Sequence, residues 1–222
     1  MNPNEPLPLP EIVYRRLREA VLNGVYAPGT VLRQEEVAAL LGVSRNPLRE
    51  ALPRLETEGL VILSPRRGYA VARLEADEIR DVFGLRILLE TDLVRQAVAM
   101  RTEVDEQRLF KILEKSSDAM KGEDQASRIA WFDLNLQFHD ALMLPANRPH
   151  QLKALSRSRG LLEAYIRMEV RVTGDLIQAQ QEHEQLAEAF IRGDVDYLVD
   201  MTREHSEHTC KRLLAGLNAK HH

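Results

Sequence analysis

The chain has 222 residues, 44% hydrophobic and 29% charged, with a net charge of −4 and a single cysteine. This is an ordinary globular balance, and the lack of any run of about eighteen apolar residues excludes a transmembrane helix. Cys210 has no partner for an internal disulfide and the N-terminus lacks the basic-then-apolar order of a secretory signal, so a reducing cytoplasm and no membrane partner are expected. Residues 1–10 are proline-rich and read as a loose arm. Leu9 to about Asn23 reads as a helix, with Ile12, Leu17, Val21 and Leu22 near helical spacing and Gly24 to end it. Pro28-Gly29 marks a turn. Gln34–Leu41 is a short amphipathic helix with Val37, Leu40 and Leu41 expected inward, stopped by Gly42. Ser44 suits the N-cap of the next helix, roughly Arg45–Glu58, and Pro47 is tolerated in its first turn. Pro53 falls inside that helix, where it removes one hydrogen bond and is expected to kink it. Leu60–Leu63 and Tyr69–Ala72 are β-prone runs joined by the basic tip Ser64-Pro65-Arg66-Arg67-Gly68.

From Glu75 onward the pattern is helical, with helices predicted near 75–100, 103–121, 124–144, 148–172, 175–192 and 194–216. Gly122, the run from Pro145 to Pro149, Gly174 and Gly193-Asp194 mark breaks. The predicted fold is mainly α: a winged helix-turn-helix at residues 1–73 and an antiparallel six-helix bundle at 75–216, with an interior large enough for a ligand.

Charge is divided between these parts. Residues 1–73 hold 10 Arg, no Lys and 8 Asp+Glu, a balance of +2; residues 74–222 hold 20 Lys+Arg and 26 Asp+Glu, a balance of −6. A guanidinium fork matches the paired acceptors of phosphate and guanine. Ser44, Arg45, Asn46 and Arg49 stand at the start of the third helix, where a recognition helix meets base edges and where free N–H groups attract phosphate. Arg66, Arg67 and Gly68 form the wing tip, able to approach the backbone or a narrow minor groove. A lone Arg54 reads as a solvated charge.

The run Val43-Ser44-Arg45-Asn46-Pro47-Leu48-Arg49-Glu50-Ala51-Leu52, with Leu55-Glu56, Glu58-Gly59-Leu60 and Pro65-Arg66-Arg67-Gly68, resembles the reader domain of the GntR family across residues 10–73. The resemblance implies a repressor-type regulator that binds a short palindromic operator of double-stranded DNA as a homodimer. Some relatives carry a DNA-contacting arginine where this chain has Glu35; the neighbouring Arg33 is the substitute the resemblance offers.

In the second part, Asn135 and His139 lie four apart on one helix face. His183 sits in an apolar stripe with Leu176, Ala179, Leu186 and Phe190, and His205 follows Leu198 and Met201 on the last helix. Histidines from three helices facing one interior suit a divalent metal such as zinc or nickel. Taken singly, each histidine reads more readily as a satisfied core or surface group than as a ligand. Arg86 lies mid-helix with Glu90 at i+4, so it reads either as half of a salt bridge or as a cation entering the cavity.

Residues 75–216 are similar to the FCD domain of the FadR-like branch of GntR regulators, through Leu85-Arg86-Ile87-Leu88-Leu89-Glu90, Asn135 with Phe138-His139, Glu182-His183 before Gly193-Asp194, and His205. Six helices resemble the shorter, vanillate-regulator-type subgroup. That resemblance implies a metal held by Asn135, His139, His183 and His205, with Asn135 replacing a commoner Asp, and an Arg86 that contacts a small carboxylic acid effector. Two other readings stand beside it: a DNA-binding dimer whose helical domain is metal-free, and a metalloenzyme. The absence of HExxH, a nucleophile elbow or a phosphate loop speaks against the last.

Overall fold

Apolar spacing and glycine punctuation set the element boundaries, and the computed structural model describes residues 7–64, 67–122, 124–173 and 176–218. The chain divides into two compact units, Met1–Ile79 with Ser156–Met168, and Arg80–Leu155 with Glu169–His222.

In the first unit, α1 (Leu9–Leu22), α2 (Gln34–Leu41) and α3 (Arg45–Thr57) precede the antiparallel strands β1 (Val61–Ser64) and β2 (Gly68–Val71). This is a helix-turn-helix with a two-stranded wing. α1 buries Val13, Leu17, Val21 and Leu22, one stripe of a helix, against α3. α2 ends at Gly42 with φ +66°, a left-handed conformation that side chains resist, and a Cβ there would meet nothing within 4 Å. Backbone shape rather than space therefore calls for glycine. The buried stripe of α2 is Val37 and Ala38, whereas Leu40 is 69% exposed. Leu40 was expected inward, but it lies one position round the helix from the line that joins Val37 to Leu41.

α3 runs through Pro53 without a break, and buries Leu48, Ala51, Leu52 and Leu55. Ser44 takes the extended N-cap conformation, but its hydroxyl makes no capping hydrogen bond. The wing pairs Val61 with Val71 and Ser64 with Gly68, and Val31 adds an isolated bridge to Ala70 that spacing did not foretell.

Two further helices contribute to this unit. Gly59 (φ +82°) ends α3, and Gly160, in the Ser156–Met168 segment, lies so close that an added Cβ would stand 1.6 Å from the Glu58 carbonyl oxygen. Around this approach Arg18 donates to Glu58 (3.3 Å) and Glu163 (2.9 Å), and the buried Arg167 donates to Glu163 (2.8 Å).

The second unit holds most of α4 (Ala76–Met100), then α5 (Glu103–Met120), α6 (Gln125–Met143), a 3₁₀ turn at Leu144–Ala146, the ends of α7 (Pro149–Thr173), α8 (Ile177–Arg192) and α9 (Val195–Asn218). Asp105 accepts from the Thr102 N–H and hydroxyl at the start of α5, and Asp124 accepts from the Ser127 N–H to cap α6. Gly193 (φ +74°) ends α8. Leu93, Ala97, Leu109, Phe138, Leu142, Leu186, Phe190 and Leu198 form one core, with α5 packed on α6 and α8, and α8 on α9. Among the described residues no helix is long and apolar enough to cross a membrane.

Candidate nucleic-acid interface and metal centre

The start of α3 presents Ser44, Arg45, Asn46 and Arg49 as exposed residues, while Pro47 and Leu48 face the core. Arg45 pairs with Glu35 of α2 at 2.9 Å, and the exposed Arg33 pairs with Glu36 at 3.2 Å. Such exposed pairs are weak and exchangeable, so both guanidinium groups can be handed to another anion. Arg49 makes no ion pair among the described residues. At the wing Arg67 is exposed, and Gly68 has φ +81° with open space where a Cβ would lie. Arg66 lies outside the described residues. Arg54 is more than a solvated charge: it donates to Glu11 at 2.8 Å and lies 3.8 Å over the Tyr14 ring, tying α3 to α1.

In the second unit α6, α8 and α9 bring His139, His183 and His205 together. All three are buried, and each offers a ring nitrogen within 4.8 Å of those of the other two. The His183 ring is stacked on Phe138 (centroids 4.5 Å apart) and Trp131 (6.2 Å), and its Nε2 has no hydrogen-bond partner. Burial holds this imidazole well below the ordinary 6.5, so it is neutral at pH 7. A buried polar atom without a partner costs free energy unless something binds it. Three converging imidazoles with one orphaned nitrogen fit a divalent ion of the imidazole-preferring kind. Asn135 is partly buried, one turn before His139 on α6.

Behind the cluster lies a carboxylate that sequence reasoning passed over. Glu182 is buried, with Oε2 2.5 Å from His205 Nδ1 and Oε1 3.1 Å from His208 Nδ1; Oε1 also accepts from Gln178 Nε2 at 3.0 Å. Burial pushes its pKa up, but the hydrogen bond from His205, followed by those from His208 and Gln178, outweighs it and holds the group at about 2. His208, partly buried on α9, shares this carboxylate. Glu182 stands beside His183 in the sequence, yet nothing in the linear spacing says that it reaches α9.

Arg86 is buried, and its guanidinium donates to Glu90 Oε1 from Nε (3.3 Å) and Nη2 (3.1 Å) while lying 4.9 Å from the Phe83 centroid. Of the two readings open for Arg86, the salt bridge is thus present on α4.

The first unit has the build of a winged helix-turn-helix DNA reader, and the second is a helical domain with a histidine cluster. Residues 9–71 match the bacterial regulatory proteins of the gntR family, and residues 81–208 match the FCD domain. The chain belongs to the FCD-domain family and carries a GntR-type reader; it is a DNA-binding transcription regulator. It is 26% identical over 212 residues to the HTH-type transcriptional regulator YdhC of Bacillus subtilis, covering 95% of this chain and 93% of that one. It is 30% identical over 156 residues to the gluconate operon transcriptional repressor of Bacillus subtilis, 70% of this chain and 63% of that one. In that second case the alignment spans less than two thirds of the relative. McbR/YncC of E. coli has the same fold, with a TM-score of 0.78 at 21% identity over 96% of this chain and 100% of the other. These families and named relatives are transcription regulators rather than enzymes.

Proposed function

We propose that the protein is a metal-dependent, effector-responsive repressor. Its reader, residues 1–73, docks as a homodimer on a palindromic operator, with recognition helices in major grooves roughly 34 Å apart. Arg45, Asn46 and Arg49 meet base edges and phosphates, the Ser44 end of α3 offers backbone N–H groups, and Arg33, Arg66, Arg67 and Gly68 engage the flanking backbone. The helical domain, residues 75–216, holds one divalent ion, zinc or nickel, on His139, His183 and His205, with Asn135 as a weaker oxygen ligand. A bound ion supplies a Lewis-acid point for the carboxylate of a small acid.

The single observation that carries this reading is the convergence of three buried imidazoles with the His183 Nε2 unsatisfied. A relative named for the gluconate operon supports a small acid as the effector. An acid that binds one arrangement of the dimer better than the other shifts operator affinity by that difference. Arg86 is the cation of this chain proposed to meet the acid. Its pairing with Glu90 favours a second reading, in which Arg86 only holds α4 in place.

Metal analysis of untagged protein tests the centre. Up to one ion per chain is expected, and His139→Ala, His183→Ala and His205→Ala should each lower occupancy; Asn135→Ala should do so less, and Asn135→Asp should tighten binding. Full retention in all three histidine variants refutes the site.

A further inference from the structure

A neutral imidazole has one N–H and one lone pair, and whatever binds one ring nitrogen decides what the other can do. The Glu182 carboxylate can only accept, so the His205 Nδ1, 2.5 Å away, carries the proton. The lone pair is then left on Nε2. We propose that Glu182 is the positioning residue of the histidine centre: it holds the Nδ1 proton of His205, presents Nε2 of that ring to the ion, and supplies the negative charge that a neutral amide at Asn135 does not. This rests on the metal reading above.

The surroundings of Glu182 suit the task. It is 7% exposed, so its charge is little screened by water. Both oxygens are occupied, Oε2 by His205 and Oε1 by His208 (3.1 Å) and Gln178 (3.0 Å), which fixes the plane of the carboxylate. Gln178 lies one turn back on α8; His205 and His208 are three apart on one face of α9. The carboxylate therefore clamps α9 to α8 at the level of the cluster. Adjacent residues of α8 divide the work, because they point about 100° apart: His183 turns its unpartnered nitrogen inward, and Glu182 grips the helix that brings His205. Carboxylates behind metal-bound histidines fix the tautomer and raise the basicity of the ligand.

The test is zinc affinity of the full chain, measured by competition with a chromophoric chelator, together with nitrogen-resolved NMR of the His205 ring in zinc-loaded protein. Glu182→Leu removes the acceptor; Glu182→Gln keeps an acceptor and removes the charge. Zinc should bind about 10- to 100-fold more weakly to the Leu variant. The Gln variant should lie between it and the wild type. The His205 Nδ1–H signal of the wild type should be lost or averaged with the other tautomer in the Leu variant. A purely structural role would weaken folding without changing the tautomer. If the Leu variant fails to fold by circular dichroism, the Gln variant decides. Wild-type affinity and an unchanged His205 tautomer in the folded variants overturn this inference alone. A wild-type protein that takes up neither zinc nor nickel overturns the metal reading and this inference together.

Discussion

Ser206 donates its hydroxyl to Glu90 Oε2 at 2.7 Å, while the other oxygen of the same carboxylate takes the Arg86 guanidinium. The pair ties α4 to α9 one residue beyond His205. An effector that drew Arg86 away from Glu90 would thus be felt at the helix that carries a histidine of the cluster.

Two roles for Arg86 then separate by measurement. Removing one partner of a buried pair leaves a buried charge, so Arg86→Ala should destabilise the protein by about 3 kcal/mol in urea unfolding. The double replacement Arg86→Met with Glu90→Leu should cost markedly less. If Arg86 meets the effector, this double variant binds operator normally in its absence and loses its response to small carboxylic acids. Arg86→Lys should recover only part, because an ammonium lacks the bidentate fork. A double variant that responds like wild type assigns Arg86 to structure alone.

On the reader, Arg45→Ala and Arg49→Ala should each weaken operator binding by roughly 1–3 kcal/mol, with unchanged folding of the helical domain. Glu35→Ala removes only an exposed partner of Arg45, so melting temperature should not move. Operator titration at fixed salt is the check; unchanged binding in both arginine variants removes α3 from the interface.

The buried His183 makes the metal-free protein sensitive to acid. Its folded pKa is depressed below the ordinary 6.5, so between the two values the unfolded chain binds a proton that the native chain does not. Its contribution to stability is full above about pH 6.5 and falls as pH drops below it. His183→Phe, which keeps the stacking on Phe138 and Trp131, should flatten the dependence of unfolding free energy on pH between 7 and 5 in chelator-treated protein. An equal slope in both proteins contradicts the assignment.

Alanine normally favours a helix over glycine by about 1 kcal/mol. At Gly160 the sign should reverse, since a Cβ would stand 1.6 Å from the Glu58 carbonyl oxygen. Gly160→Ala should lower the melting temperature, by an overpacking cost of about 1–3 kcal/mol. A rise in melting temperature would show that this approach relaxes freely.

Local patterns carried much of the fold. Apolar residues at helical spacing and the glycines at 24, 42, 59 and 193 predicted α1, α2, α3 and α8 within a residue or two, because each signal acts within one turn of chain. The wing was legible as two β-prone runs, although its pairing begins one residue later, at Val61. The histidines were legible as inward positions of three helices.

What sequence alone determined, then, was where the chain is helical, where it turns and, apart from misplaced positions such as Leu40, which side chains face inward, since those follow from backbone preference and period. Tertiary structure decided which inward groups meet. Only packing of α6, α8 and α9 brings three imidazoles within 4.8 Å, sets Glu182 against His205 across 23 residues, and joins Ser206 to Glu90 across 116. The same holds for Gly160, whose need for glycine is invisible in its own helix and arises from the Glu58 carbonyl pressed against it. The physical reason is range: propensity and periodicity act over a few residues, whereas these contacts depend on how separate helices are brought together by burial of their apolar faces.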